Sequence, residues 1–171
     1  MRVRPCKVFA VIVGGLIAFQ VNAADVATPA TNDRDVSALH HLWNSYQQAV
    51  ARKDAKAMLD MYASPDAPVL SALASQSYAV IKAANKQPIP RTFPSTAKDD
   101  VVGEIKLPPD QTKNLRIETD GEIGTITWDY SAKVGHGQVV WSVVHTNDGW
   151  KIASALFSMN VPAADATNGV N

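Results

Sequence analysis

The stretch QVVWSVVHTNDGWKIASALFSMNV, residues 138–161, decides the fold. Apolar and polar residues alternate with a period near two on both sides of Asn147-Asp148-Gly149. A tight turn between two alternating runs predicts an antiparallel hairpin, because Asn, Asp and Gly accept the positive φ such turns need. The strands are expected at Gln138–Thr146 and Trp150–Val161. In the second, Ala153, Ala155, Phe157, Met159 and Val161 form an unbroken apolar face. The first carries Val139, Trp141, Val143 and His145 on one face and Val140, Ser142 and Val144 on the other. A strand apolar on both faces is covered on both. Helices can cover one of them, so a second sheet is expected on the other.

Period two continues upstream. Strands are expected at about Asn114–Thr119 and Glu122–Val134, joined to each other by Asp120-Gly121 and onward by Gly135-His136-Gly137. Ile126, Trp128, Tyr130 and Ala132 oppose Thr125, Thr127, Asp129 and Ser131 across the longer strand. Before these strands the period is helical. Val36, Leu39, Leu42, Trp43, Tyr46, Ala49 and Val50 share a helix face, with Asp33 or Asp35 as N-cap. Asp54 can cap a second helix carrying Met58, Leu59, Met61 and Tyr62, which Ser64-Pro65-Asp66 ends. A short strand over Pro68–Ala74 and a third helix over Ser75–Lys86 follow. Gln87–Asp100 holds Pro88, Pro90 and Pro94 and reads as a loop. Helices followed by an antiparallel meander, without βαβ alternation, make the class α+β.

The N-terminus carries a different signal. Arg2, Arg4 and Lys7 precede an apolar run from Val8 to Phe19, and Val21-Asn22-Ala23 offers small residues to a signal peptidase. The run is shorter than the about 20 residues a membrane-spanning helix needs. The expectation is a signal peptide over 1–23, a flexible lead-in over 24–34, one domain over 35–162 and a disordered tail over 163–171. Cleavage would remove Cys6, the one cysteine, so no disulfide or thiolate chemistry is expected in the exported chain. It would also turn the balance of 16 basic and 16 acidic residues into a net charge of about −3. That is no footprint for nucleic acid, and no membrane contact is expected after cleavage. The expected location is the periplasm or beyond the cell.

The residues from Val36 to Val161 resemble the nuclear transport factor 2-like superfamily, which includes ketosteroid isomerases and SnoaL-like cyclases. The resemblance lies in Tyr46-Gln-Gln-Ala-Val-Ala-Arg-Lys-Asp54, Met58-Leu-Asp-Met-Tyr62, Asp66-Ala67, and the closing hairpin through Asn147-Asp-Gly-Trp-Lys-Ile152 into Ala155-Leu-Phe-Ser158. It implies three N-terminal helices packed in a curved antiparallel sheet, a cone with an internal pocket, and a homodimer formed through the back of the sheet. Isomerases of this superfamily use a helix tyrosine, a protonated acid on a strand and a proton-abstracting aspartate. Tyr46 is similar to the helix tyrosine. The aspartate's place falls at Val69, Leu70 and Ser71, and the strand acid's place near Ser142, so two of the three groups are absent.

The expected function is therefore binding of a small apolar or amphipathic molecule without transformation. Tyr46, Trp128, Tyr130, Ser142, Val144, Phe157 and Met159 are the pocket candidates. Val139, Trp141, Val143 and His145 are the dimer-interface candidates. Catalysis by Asp99, Asp100 or Glu104 from the proline-rich segment is the enzymatic alternative, and a protein-docking module of the cell envelope is another. No cofactor or metal is expected: His40 and His41 are adjacent on a helix and point about 100° apart, and no HExxH spacing exists.

Overall fold

The computed structural model describes residues 33–133 and 135–161. The signal peptide expected at 1–23, most of the lead-in and the tail at 163–171 lie outside the described residues. Ten elements follow one another: α1 (Asp33–Arg52), α2 (Ala55–Asp60), β1 (Pro68–Leu73), α3 (Ser75–Ala84), β2 (Thr92–Thr96), α4 (Ala97–Glu104), β3 (Gln111–Thr119), β4 (Ile123–Ala132), β5 (Gly135–Thr146) and β6 (Gly149–Met159).

Helix α1 keeps the predicted face, burying Leu39, Tyr46, Ala49 and Val50. Asp33 and Asp35 sit in its first turn, where the unsatisfied N–H groups favour negative charge. Lys53 ends it in the left-handed region at φ 57°. Its N–H and that of Asp54 donate to the carbonyls of Val50 and Ala49, a closure that satisfies two terminal acceptors. Asp54 then caps α2 by accepting from Ala57 N–H at 3.0 Å. The end of α2 is stitched to the sheet, since Ile152 N–H donates to the Met61 carbonyl and Ala63 N–H to the Ile152 carbonyl.

The six strands form one sheet in the order β2-β1-β6-β5-β4-β3. It is mixed rather than wholly antiparallel, because β1 pairs parallel with β6. Local turn chemistry specifies the three hairpin pairings of β3 to β6, and nothing local specifies the partner of an isolated short strand such as β1. The expected loop over 87–100 also differs. It contains β2 and the start of α4, which makes four helices rather than three among the described residues. Pro94 is tolerated in β2 because that strand lies at the sheet edge, where a missing N–H costs no ladder bond. Thr96 caps α4, accepting from Asp99 N–H at 3.4 Å and donating its hydroxyl to the Asp99 carboxylate at 2.7 Å.

Two features of the meander set which side chains meet. Ala132 pairs with Gly135, so Gly135-His136-Gly137 is not the turn but the start of β5. These glycines are needed for close approach: a methyl on Gly137 would overlap the Ser158 carbonyl oxygen, and one on Gly135 would crowd that of Asn160. The second feature is a bulge on β6. Ser142 pairs with Ser154 and Val143 with Ile152, leaving Ala153 as the extra residue. Alternation reverses there, so Trp150 and Ile152 share a face with Ala155 and Phe157 instead of opposing them. That face packs on the helices. Its core includes Leu39, Met58, Ile126, Trp141 and Ile152, all 1% exposed or less.

Candidate functional site

The site is a cavity of about 200 Å³ between the C-terminal half of α1, helix α4 and the far ends of β4, β5 and β6. Its wall begins with a chain of rings. Tyr46 stands edge-on to Trp141 at 4.7 Å between centroids, Trp141 edge-on to Trp128 at 4.7 Å, and Trp128 edge-on to Trp43 at 6.2 Å. Cross-strand register explains the clustering: Trp128 pairs with Val139 on β5, and Val139 with Phe157 on β6. Those three side chains, with Trp141 and Met159, form the apolar floor. Tyr130 closes one side, its hydroxyl donating to the Ser158 carbonyl at 3.1 Å.

Helix α4 supplies the opposite character. Asp100 and Glu104 lie one turn apart on the same helix face, and Asp110 follows just before β3; all three line the cavity. Each is partly buried, and burial makes the ionised form costly. Loss of solvent raises Asp100 from the ordinary 3.8 to about 6. Glu104 rises from 4.5 to about 7 through the same loss, with smaller contributions from the neighbouring Asp110 and Asp100 charges. Asp110 is raised by burial as well. Burial pushes the Tyr130 hydroxyl up to about 12 and lifts Tyr46 and Tyr62 further, with the nearby carboxylates adding to each. The Tyr46 and Tyr62 hydroxyls are close enough to influence each other's ionisation, yet the Tyr62 oxygen makes no well-formed hydrogen bond.

Of the residues expected in the pocket, Tyr46, Trp128, Tyr130, Phe157 and Met159 line this cavity. Ser142 and Val144 do not. They point to the outer side of the sheet, along a shallow groove shared with Ile123 and Thr125. The expected interface residues are displaced the other way. Val139, Trp141 and Val143 are buried on the helix side, and Val139 and Trp141 line the cavity itself. His145 is exposed but also faces the helix side, stacked at 5.1 Å on Trp150. With both faces of β5 apolar, alternation defines two faces without saying which of them meets the helices. Trp141 carries the larger apolar surface, and that side went inward.

Sequence reasoning did not single out Asp110, Gln47 or Ser71 as lining groups, and it placed Asp100 and Glu104 in a loop. Their i, i+4 spacing is the signal that marks a shared helix face. Asp99, the third acid considered, is exposed and committed to the Thr96 cap. Asp129 lies on the outer side, where Asn114 and Gln138 donate to it and hold its carboxyl below the usual range. Among the described residues no three His, Cys, Asp or Glu side chains converge as metal ligands. A larger, open groove of about 940 Å³ lies at the other end of the sheet, between the start of α1 and the turns near Gly121 and Gly149. Among the described residues it shares no lining residue with the cavity.

No family model and no curated protein matches the sequence. Solved structures do match. A nuclear transport factor 2-like protein of unknown function from Shewanella baltica superposes with a TM-score of 0.59 at 10% identity, covering 78% of this chain and 99% of that one. The fold is nuclear transport factor 2-like. A second such protein of unknown function, from Silicibacter pomeroyi, gives 0.57 at 12% identity over 77% of this chain and 100% of its own. A protein from Burkholderia xenovorans described as having a cystatin-like fold gives 0.54 at 12% identity over 77% and 96%. The nuclear transport factor 2-like architecture is thus matched by structures that share little sequence with it.

Proposed function

We propose that the protein binds a small, largely apolar molecule in the cavity under α4 and does not transform it. The observation that carries this reading is the cavity's lining: Trp128, Trp141, Phe157 and Met159 form an apolar floor, and polar groups including Gln47, Ser71 and the acids of α4 complete the wall, the mixture of a ligand pocket. Its size suits a molecule of one ring, since an apolar cavity of about 150 Å³ is enough to hold benzene. The positive, apolar and small-residue pattern of residues 1–23 supports action outside the cytoplasm. The outer side of the sheet supports a homodimer, because Leu70, Leu156 and Val140 lie in one cross-strand row and Leu70 and Leu156 are exposed. Native mass spectrometry of protein purified from its own host tests the binding reading. A bound small molecule that denaturation releases is the expected result. A mass equal to the bare chain, together with no binding of single-ring compounds, argues against it.

A second reading is acid–base catalysis, as an isomerase, dehydratase or cyclase. Asp100 at about 6 and Glu104 at about 7 are placed where a carboxyl can both give and take a proton near neutral pH. Binding is preferred because no carboxyl is hydrogen-bonded to the Tyr46 hydroxyl among the described residues. The tyrosine-and-acid pair that would steady a developing oxyanion is therefore not assembled.

A further inference from the structure

We infer that the molecule this cavity takes carries a positive charge, an organic ammonium whose charged end lies on the acidic side of the cavity lined by Asp100, Glu104 and Asp110 while its apolar body lies against Trp128 and Trp141. The inference rests on the reading that the cavity is a binding site and names the chemistry of what enters it.

The first argument is charge. Three carboxyls line the cavity, and among the described residues no Lys, Arg or His does. The ion pairs among the described residues are elsewhere: Lys56 with Asp60 and Lys98 with Asp66, both on the surface. Neither Asp100, Glu104 nor Asp110 has a hydrogen-bond donor among the described residues. Partly buried acids without partners are costly, and two like charges at i, i+4 on α4 add to the cost. A fold that needed only packing here would do better with amides or apolar side chains. The arrangement is favourable once a cation is supplied from outside.

The second argument is independent of the acids. Tyr46, Trp128 and Trp141 surround the same space with their rings, and all three are more than nine-tenths buried. Rings this well buried give the apolar body of an aromatic amine a dry surface to pack against. A metal ion is a poorer occupant, since the acids do not converge as ligands and rings do not coordinate hard cations. An anionic ligand is excluded by the same three carboxyls once they ionise.

Asp100 and Glu104, raised by burial to about 6 and about 7, still hold part of their protons near neutral pH, which fits this use. An entering ammonium displaces the remaining protons, so the site holds its full negative charge only when occupied.

The experiment compares benzylamine, benzyl alcohol and benzoate, three probes of one shape, by quenching of tryptophan fluorescence at pH 8, where the amine is cationic. Benzylamine is expected to bind at least about tenfold more tightly than benzyl alcohol, and benzoate not to bind measurably. In a D100N/E104Q double variant the amine should lose that advantage while benzyl alcohol keeps its affinity. If the variant does not fold, the comparison on the native protein decides alone. Benzyl alcohol binding as tightly as benzylamine overturns the charge inference and leaves the binding pocket standing. Binding of none of the three overturns both.

Discussion

Tyr46 and Trp141 meet edge to face, their ring centroids 4.7 Å apart and their planes 79° apart, and this contact ties α1 to the middle of the sheet at the cavity wall. Trp141 is 1% exposed and touches Trp128 on its other side. One side chain thus joins helix to sheet and core to cavity. Removing it should do more than change a surface.

Trp141→Ala should therefore destabilise the protein by roughly 3 to 5 kcal/mol, the usual range for a large aromatic lost from a core. Urea unfolding followed by circular dichroism measures this. A midpoint within error of the native protein would show that Trp141 is not packed as described. Trp141→Phe keeps part of the ring contact and should recover part of the loss.

How much of this was legible in the sequence depends on whether the information is local. The Asn147-Asp148-Gly149 turn, the Asp54 cap and the apolar stripe of α1 are carried by neighbours in the chain, and each is found where local chemistry puts it. The bulge at Ala153 has no local marker, and it reverses the alternation on which face assignment of Trp150 and Ile152 depends. Glycines 135 and 137 read as turn residues, although their role is to let the end of β6 come close. The proline-rich segment hid an edge strand and a helix because its prolines fall where no ladder hydrogen bond is needed. The cavity was half legible: its rings lie on strands with clear alternation, while its acids lie on the helix that the prolines obscured.

The close approach at Gly137 gives a sharp test. Gly137→Ala places a methyl against the Ser158 carbonyl oxygen, which belongs to backbone and cannot swing away. Loss of about 2 kcal/mol or more is expected, in line with overpacking of a well-fitted site. Because Ser158 also receives the Tyr130 hydroxyl and its own hydroxyl accepts from Gln138 N–H, this end of the cavity should loosen too. Faster amide exchange at Gln138 and Asn160 than in the native protein would be the signature. An unchanged exchange pattern with unchanged stability would mean that β6 does not lie as close as described.

The outer side of the sheet should carry the dimer contact, and residues facing the helices should not. Leu156 is 47% exposed and pairs with Leu70 and Val140 in one row. Leu156→Glu should convert the dimer to a monomer in light scattering while changing monomer stability by no more than about 0.5 kcal/mol, as expected for a surface position. A native protein that is monomeric at tens of micromolar by the same measurement removes the dimer proposal altogether.

The acids of α4 predict an unusual pH dependence. Asp100 is raised from 3.8 to about 6 and Glu104 from 4.5 to about 7, both chiefly by burial. The folded state therefore holds protons that the unfolded chain has already released between about pH 4 and 7. Stability must then fall as pH rises through that window, since the state binding more protons is the folded one. The contribution is complete below the unfolded values and is lost once both groups are ionised above about pH 7. Each tenfold change in proton affinity corresponds to about 1.4 kcal/mol, so Asp100 alone can account for up to roughly 3 kcal/mol and the solvent that reaches both groups lowers that figure. D100N and E104Q, which stay neutral, should each raise the urea midpoint at pH 8 and leave it nearly unchanged at pH 4. A native protein equally stable at pH 5 and pH 8, with neither variant shifting the midpoint at pH 8, would mean that these carboxyls are solvated rather than enclosed under α4. The charge argued for the ligand would then lose its basis, while the aromatic wall of the cavity would stand.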